Sequence, residues 1–267
     1  GLLVGARGEM SRYDGVTWTS LPGSGQWWDT PSVFYDVTSD GDGIYAGTNR
    51  GACKWNWQYQ FQDCVSTGEG LESRFVYSIE MIGADRAYTG GNEGAGIVDM
   101  GNFSVIDTWT AGDDTQRART VKIDNILYLG FENTGIARFD LTNREWLTTW
   151  DGDQGYIDDD DVTALVPGRS YGTIWAGGDF GLTLIDVVND QVLISWDRGA
   201  NSGGPTLSNS IPADIVIYGD ILYYSVQRSG GWWGGSSDEV NRINLTTNSS
   251  MTLLDTDDTT GWSGVVN

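Results

Sequence analysis

The sequence predicts an all-β fold, a six-bladed β-propeller of four-stranded antiparallel blades. Three observations lead there. One unit recurs six times at a mean step of 44 residues, and 267 residues hold about six such steps. Glycine supplies 38 residues, twice the usual share of roughly 7%, while proline supplies only 5, so the chain is turn-rich without being a low-complexity tract. Each recurrence is flanked by further β-rich stretches, which gives four short strands per period, here called A to D. A 44-residue unit cannot bury a core alone and must pack on its neighbours, which disfavours an array of separate small sandwiches.

Strands B and C carry the repeat itself. Each copy opens with about four apolar or aromatic residues and a small residue, then a Gly-bounded loop and a second alternating segment. The copies read LLVGARG-EMSRYDG, GIYAGTNRG-ACKWN, RAYTGGNEG-AGIVDM, ILYLGFENTG-IARFDLTN, TIWAGGDFG-LTLIDVVN and a divergent ILYYSVQRSGG…EVNRINLTTN. Their small residues are Gly5, Gly47, Gly90, Gly130, Gly177 and Ser225, in steps of 42, 43, 40, 47 and 48. Strand A precedes each copy, as VFYDVTS from Val33, FVYSIEMI from Phe75, VTALVP from Val162 and IPADIVIY from Ile211. Strand D follows, as VTWTSL from Val16, VIDTWT from Val105, EWLTTW from Glu145 and QVLISW from Gln191. Asp14-Gly15 suits a type I′ hairpin, and LTN at 141–143 and LTTN at 245–248 join strands C and D elsewhere.

One propeller domain over 1–267 then has blades near 1–22 plus 261–267, 31–67, 73–111, 117–151, 161–198 and 210–256. The chain starts at a strand B and ends in GWSGVVN (261–267), which reads as a strand A. Pairing that last strand with the first blade would close the ring and remove an exposed edge. The join is short, about seven residues from Val265 to Gly5 where other blades have 10 to 15, so the chain reads as lacking residues or as a piece of a longer repeat protein. Gly1 in place of Met, with no signal-peptide pattern after it, reads the same way, as a processed or excised chain.

GIYAGTNRG, ILYLGFENTGIARFDL and TIWAGGDFGLTLID resemble the two-component-regulator propeller repeat, an apolar-Trp/Tyr-x-Gly-Thr stretch, a Gly and an aromatic-Asp end. Gly90-Gly91 and Gly177-Gly178 are similar to the kelch di-glycine. The Thr after Gly47 has no counterpart after Gly5, Gly90, Gly130 or Gly177. The resemblance covers the six copies and implies a periplasmic or extracellular sensor or binding propeller.

Composition narrows the partners. The net charge is −22, from 15 Lys and Arg against 37 Asp and Glu, which argues against nucleic acid and against an anionic membrane surface. There is no histidine, so Ser-His-Asp and Cys-His nucleophiles, histidine bases and the usual zinc sites are out of reach. No apolar run approaches the roughly 18 residues of a membrane span, so no membrane insertion is expected.

Cys53 and Cys64 fall on strands C and D of one blade, and a hairpin centred on Gln58-Tyr59 puts them opposite each other. Non-hydrogen-bonded partners there approach to about 4.5 Å between Cα atoms, so a disulfide is expected, and with it an oxidising compartment: extracellular, cell surface or periplasm. Sequons at Asn102, Asn244 and Asn248 are compatible with that.

Of 13 tryptophans, Trp18, Trp109, Trp146, Trp175 and Trp196 belong to the strand pattern and are expected to pack between blades. Two pairs do not. Trp27-Trp28 lies in a D–A connection and Trp232-Trp233 in a B–C insertion. Strand direction alternates, so D–A and B–C connections leave the same face, and ring closure would make these two blades neighbours. Trp27, Trp28, Trp232 and Trp233 are therefore the candidate surface for a carbohydrate, peptide or protein ligand.

Acidic residues crowd the same connections. Asp151, Asp153, Asp158 and Asp159 are the candidate ligands for calcium, the one cofactor considered, and DGDQG opens like an EF-hand loop. Gly155 and Val162 occupy positions five and twelve of that loop, which excludes an EF-hand; the alternative is a solvated acidic face. An enzymatic alternative is a carboxylate-dependent glycoside hydrolase or lyase. SRYDGVTW (11–18) approaches the sialidase Asp-box but has Asp14 one place late, and the strand A carboxylates would be Asp36, Glu80, Asp124 and Asp214. The expected function is a non-enzymatic binding or interaction module in a longer chain or surface assembly.

Overall fold

The second strand of each period has only apolar, aromatic, small and threonine residues over Ile44–Thr48 and Thr173–Gly178, and every one of them is buried. A strand covered on both faces lies inside a stack of sheets. The fourth strands, such as Ser104–Thr110 and Glu145–Trp150, instead carry exposed side chains along their length, as strands with one solvated side do. The computed structural model describes residues 2–5, 10–13, 16–21, 31, 33–83, 85–92, 94–110, 116–157, 160–179, 181–197, 211–227 and 238–255.

The fold is an all-β propeller of four-stranded antiparallel blades, and the chain divides into two compact units, Gly1–Thr120 and Val121–Asn267. The first unit opens with a three-stranded sheet of β1 (Leu2–Gly5), β2 (Met10–Tyr13) and β3 (Trp18–Leu21). One four-stranded blade follows, of β4 (Phe34–Ser39), β5 (Ile44–Thr48), β6 (Gly51–Trp55) and β7 (Phe61–Val65). The next consists of β8 (Val76–Gly83), β9 (Arg86–Gly91), β10 (Gly94–Asp99) and β11 (Ser104–Thr110). The blade of β12 (Gln116–Ile123), β13 (Ile126–Glu132), β14 (Gly135–Asp140) and β15 (Glu145–Trp150) begins in the first unit and continues in the second. The second unit adds β16 (Val162–Pro167), β17 (Thr173–Gly178), β18 (Gly181–Asp186) and β19 (Gln191–Asp197). Its last blade is β20 (Ile211–Tyr218), β21 (Ile221–Gln227), β22 (Asp238–Asn244) and β23 (Ser249–Asp255). Among the described residues five sheets are four-stranded blades and β1 to β3 form a three-stranded sheet; segment 261–267, expected to close the ring, lies outside them.

The repeat's small residue has one structural place. Gly47 pairs with Asp36 and Ala52, Gly90 with Ser78 and Ala95, Gly177 with Ala164 and Leu182, and Ser225 with Asp214 and Val240. Opposite each of them strand A skips one residue, Tyr35, Tyr77, Thr163 or Ala213, in a β-bulge. Smallness is needed for the neighbouring blade: a Cβ on Gly47 would lie 2.6 Å from the Val76 carbonyl oxygen, and one on Gly130 2.4 Å from Val162 Cγ1. The cores accordingly sit between blades. Tyr45, Ala52 and Val65 pack with Val76, Ile79, Ala87 and Val98 in the first unit. In the second, Trp175 and Trp196 pack with Ile215, Leu222 and Tyr224 of the following blade. Trp109 is buried too, and Trp146 packs edge-on against Phe139, so these four strand tryptophans are packing residues.

The C–D turns share a polar staple. Asp99, Asp140 and Asp186 each accept from the backbone N–H groups two and three residues on, and from the amide side chains of Asn102, Asn143 and Asn189. Asn244 does the same to Thr246 and Thr247 with an uncharged side chain. These bonds hold the three carboxyls below the usual carboxylate range: the backbone bonds from Asn102 and Asn143 lead for Asp99 and Asp140, and the Asn189 side chain leads for Asp186. A lowered folded-state pKa gives stability that is complete above the unfolded value of roughly 3.9 and is lost as pH falls through the lowered values. Acid unfolding curves of the Asp99→Asn, Asp140→Asn, Asp186→Asn triple variant should be flatter below about pH 4 than those of the parent, because asparagine keeps the acceptor and removes the charge. Parallel curves would show that the turns contribute nothing to acid sensitivity.

Candidate functional site

A bulge re-aims the side chain of its extra residue away from the regular pleat. In the first unit the extra residues are tyrosines, and they meet: the rings of Tyr35 and Tyr77 are 4.5 Å apart at 51°. Phe75, just before β8, stacks near Tyr77 at 6.4 Å and 15°, and the Arg74 guanidinium stands 4.6 Å over the Phe75 ring. The Phe75 N–H donates to Ser73 Oγ at 3.0 Å, and Gly91 leaves room for this segment, since a Cβ there would lie 2.9 Å from the Phe75 carbonyl. From β12, Arg119 Nη1 donates to the Tyr77 carbonyl at 2.5 Å.

Beneath these side chains a polar belt ties the A strands together. The Asp36 carboxylate accepts from the N–H groups of Val37 (2.8 Å) and Ile79 (2.9 Å), and the Ser78 and Thr120 hydroxyls are 3.0 Å apart. Tyr35, Phe75, Tyr77 and Arg119 are half-buried and Arg74 is exposed, so the cluster is partly accessible to solvent. Its three rings offer faces to a ligand, with one guanidinium on Phe75 and a second at the Tyr77 backbone.

The cluster sits at the end of the blades where D–A and B–C connections meet. Val33, which leads into β4, and Asn49, which follows β5, exchange hydrogen bonds at 3.2 Å. In the second unit Asn133 N donates to Asp161 Oδ1 (2.6 Å) and Gly135 N to the Asp160 carbonyl (2.7 Å). D–A and B–C connections therefore leave the same face within each of these units. Trp27, Trp28, Trp232 and Trp233, the residues expected on that face, lie outside the described residues.

Among the acidic candidates, Asp151 is half-buried and Asp153 exposed beside a short 3-10 turn, while Asp158 and Asp159 lie outside the described residues. Their neighbours Asp160 and Asp161 staple the connection, Asp160 by accepting from Gly152 N at 2.8 Å. No group of three or more metal-ligating side chains occurs among the described residues. The strand A carboxylates have individual structural roles. Asp36 belongs to the belt, Asp214 accepts from Ile215 N at 2.9 Å, and Glu80 lies opposite Tyr88, whose pKa rises through burial and then through that charge. Asp124 corrects the sequence expectation: it is in the β12–β13 turn with φ 50°, where it accepts from the Tyr171 hydroxyl. Asp14 and Gly15 lie outside the described residues.

Cys53 and Cys64 are paired in register across β6 and β7 and form a disulfide, with their Cα atoms 4.0 Å apart. The second unit has a groove of about 400 Å³ lined by Arg169, Ser170, Thr173, Trp175, Leu184, Ile194 and Leu245. Its arginine is engaged with Asp220 at 2.5 Å, and its other walls are mostly apolar.

The tyrosine cluster was missed by sequence reasoning, because an aromatic residue in a β-rich stretch reads as core. The available signal was alignment on the repeat. Tyr35 and Tyr77 each precede the residue that pairs with the marker glycine, a position held by Thr163 and Ala213 in later blades.

No family model matches the chain, and no curated protein matches it. Solved structures do match. One is the extracellular domain of a hybrid two-component system from B. thetaiotaomicron, with a TM-score of 0.68 at 14% identity over 98% of this chain and 33% of that one. A second structure of an extracellular domain from that organism, described as a one-component system, gives 0.63 at 15% identity over 83% of this chain and 28% of that one. A chain of the mitotic checkpoint complex gives 0.65 at 10% identity over 95% and 73%. This chain spans about a third of the length of the first of these, and at such identities the likeness is one of fold, that of the β-propeller.

Proposed function

We propose that this propeller is a non-enzymatic binding module of an extracellular or periplasmic protein, taking a glycan, peptide or protein ligand on the face where D–A and B–C connections leave the blades. The observation that carries the reading is the contact series Arg74–Phe75–Tyr77–Tyr35, in which Tyr35 and Tyr77 are the strand A bulge residues and Arg74 and Phe75 lead into β8. Half-buried rings on a braced scaffold lose little conformational freedom when a ligand stacks on them, which is why aromatic side chains dominate binding hot spots. Trp27 and Trp28 precede β4 in the chain, on the connection that delivers Tyr35, and they extend this surface in the proposal. Trp232 and Trp233, on a B–C connection of the second unit, are proposed as further aromatic contacts. The disulfide fits an oxidising compartment. The resemblance to extracellular domains of signalling systems, of which this chain covers 28% and 33%, supports a sensory role within a longer chain.

A glycan and peptide array with the parent chain, repeated with Tyr35→Ala and Tyr77→Ala, tests the reading. Loss of a hot-spot ring should weaken binding at least about 30-fold, which corresponds to roughly 2 kcal/mol. Melting curves run in parallel identify a variant that has simply unfolded. Binding retained by well-folded variants would place the ligand elsewhere.

A further inference from the structure

Resting on the binding-module reading, we infer that the Arg74–Phe75–Tyr77–Tyr35 cluster recognises a carboxylate carried on a ring, as in a uronic acid sugar. The chain has 37 acidic and only 15 basic residues, so the default charge beside any surface cluster is negative. Here two arginines, Arg74 and Arg119, stand at the aromatic residues, while the Asp36 carboxylate is held by the backbone N–H groups of Val37 and Ile79. Arg74 is exposed with its guanidinium 4.6 Å over the Phe75 ring, a cation–π contact that fixes the side chain. Arg119 is half-buried and oriented by its bond to the Tyr77 carbonyl. A planar guanidinium presents N–H groups in a fork that matches the two oxygens of a carboxylate, and held arginines lose less freedom on pairing than lysines do.

The rings set the other half of the ligand. Phe75 and Tyr77 are within 15° of parallel with centroids 6.4 Å apart, and Tyr35 is inclined to Tyr77 by 51°. Such faces pack on the C–H side of a pyranose or on a flat aromatic ring. Ring and carboxylate together therefore describe the ligand: a sugar acid or an aromatic acid, with the anion directed to the guanidinium side. The chain's net charge of −22 does not prevent this, because at physiological ionic strength charges beyond about 8 Å are largely screened, and Asp36, the carboxylate next to Tyr35, is engaged by the N–H groups of Val37 and Ile79.

Calorimetry with tri-galacturonate, its neutral methyl ester and phenylacetate tests the inference. The acid should bind at least about tenfold more tightly than the ester, and Arg74→Gln should abolish the difference while the melting temperature stays unchanged. Binding of phenylacetate in place of the sugar, with the same dependence on Arg74, keeps the carboxylate assignment and makes the source an aromatic acid. Equal binding of acid and ester, both lost in Tyr35→Ala, would overturn the carboxylate inference and leave the binding module standing. Carboxylate binding that Arg74→Gln does not weaken, or no binding of either acid, would also overturn it; the array judges the module independently.

Discussion

Trp150→Ala is expected to cost about 3–5 kcal/mol of stability, the range for deleting a large aromatic side chain from a packed core. Trp150 is 1% exposed and belongs to the cluster that joins β12 to β14 with β16 to β18. Its ring stacks on Tyr156 at 4.8 Å, tilts against Tyr128 at 5.7 Å, and lies 4.3 Å from the Arg138 guanidinium. The loss would therefore loosen the 151–157 connection as well as the blade, since Tyr156 packs on the indole and Ile157 is buried in the same cluster. Urea unfolding measures the cost, and a value under about 1 kcal/mol would mean the site collapses around the gap. A spectroscopic titration gives a second readout. The Tyr128 hydroxyl is pushed up to about 12, burial raising it and the Arg138 charge lowering it. Opening the cavity should return it toward the ordinary value of about 10.

Removing the disulfide should have the next largest effect, and a local one. The bond closes a sequence separation of 11 residues between β6 and β7, and short loops of this size yield roughly 2–3 kcal/mol in the chain-entropy model. Cys53 is fully buried among Phe34, Ile44, Ala46 and Trp55, so the double alanine variant also loses sulfur packing there. In a repeat architecture each blade contacts its neighbours only, so the damage should be greatest where it is made. Hydrogen exchange in Cys53→Ala/Cys64→Ala is expected to accelerate in β6, β7 and the adjoining β5, with β16 to β19 unaffected. Uniform acceleration through the chain would contradict the quasi-independent behaviour of the blades.

Strand positions were legible because each depends on local pattern. VTALVP, EWLTTW and IPADIVIY coincide with β16, β15 and β20, and Gly47, Gly90 and Gly177 share one register, each opposite a strand A bulge. The disulfide was legible for a similar reason, since hairpin register alone puts Cys53 opposite Cys64. Asp124 was misplaced because a strand A pattern does not reveal where the strand stops, and an aspartate with φ 50° is a turn residue. The tyrosine and arginine cluster was not legible. A bulge is a mismatch between two strands, so it exists only after pairing, and Arg119 and Tyr77 are 42 positions apart in sequence. Net charge pointed away from anionic partners, yet it averages over the whole surface, whereas the proposed ligand would meet the local arrangement of Arg74 and Arg119.

A crystal structure of the chain with a ligand from the array tests the central claim, that the loop face of the strand A bulges is the binding surface. Ligand density is expected against Tyr35, Phe75 and Tyr77 with a polar group toward Arg74. Density in the groove beside Arg169 and Leu245, with the tyrosine cluster empty, would contradict it.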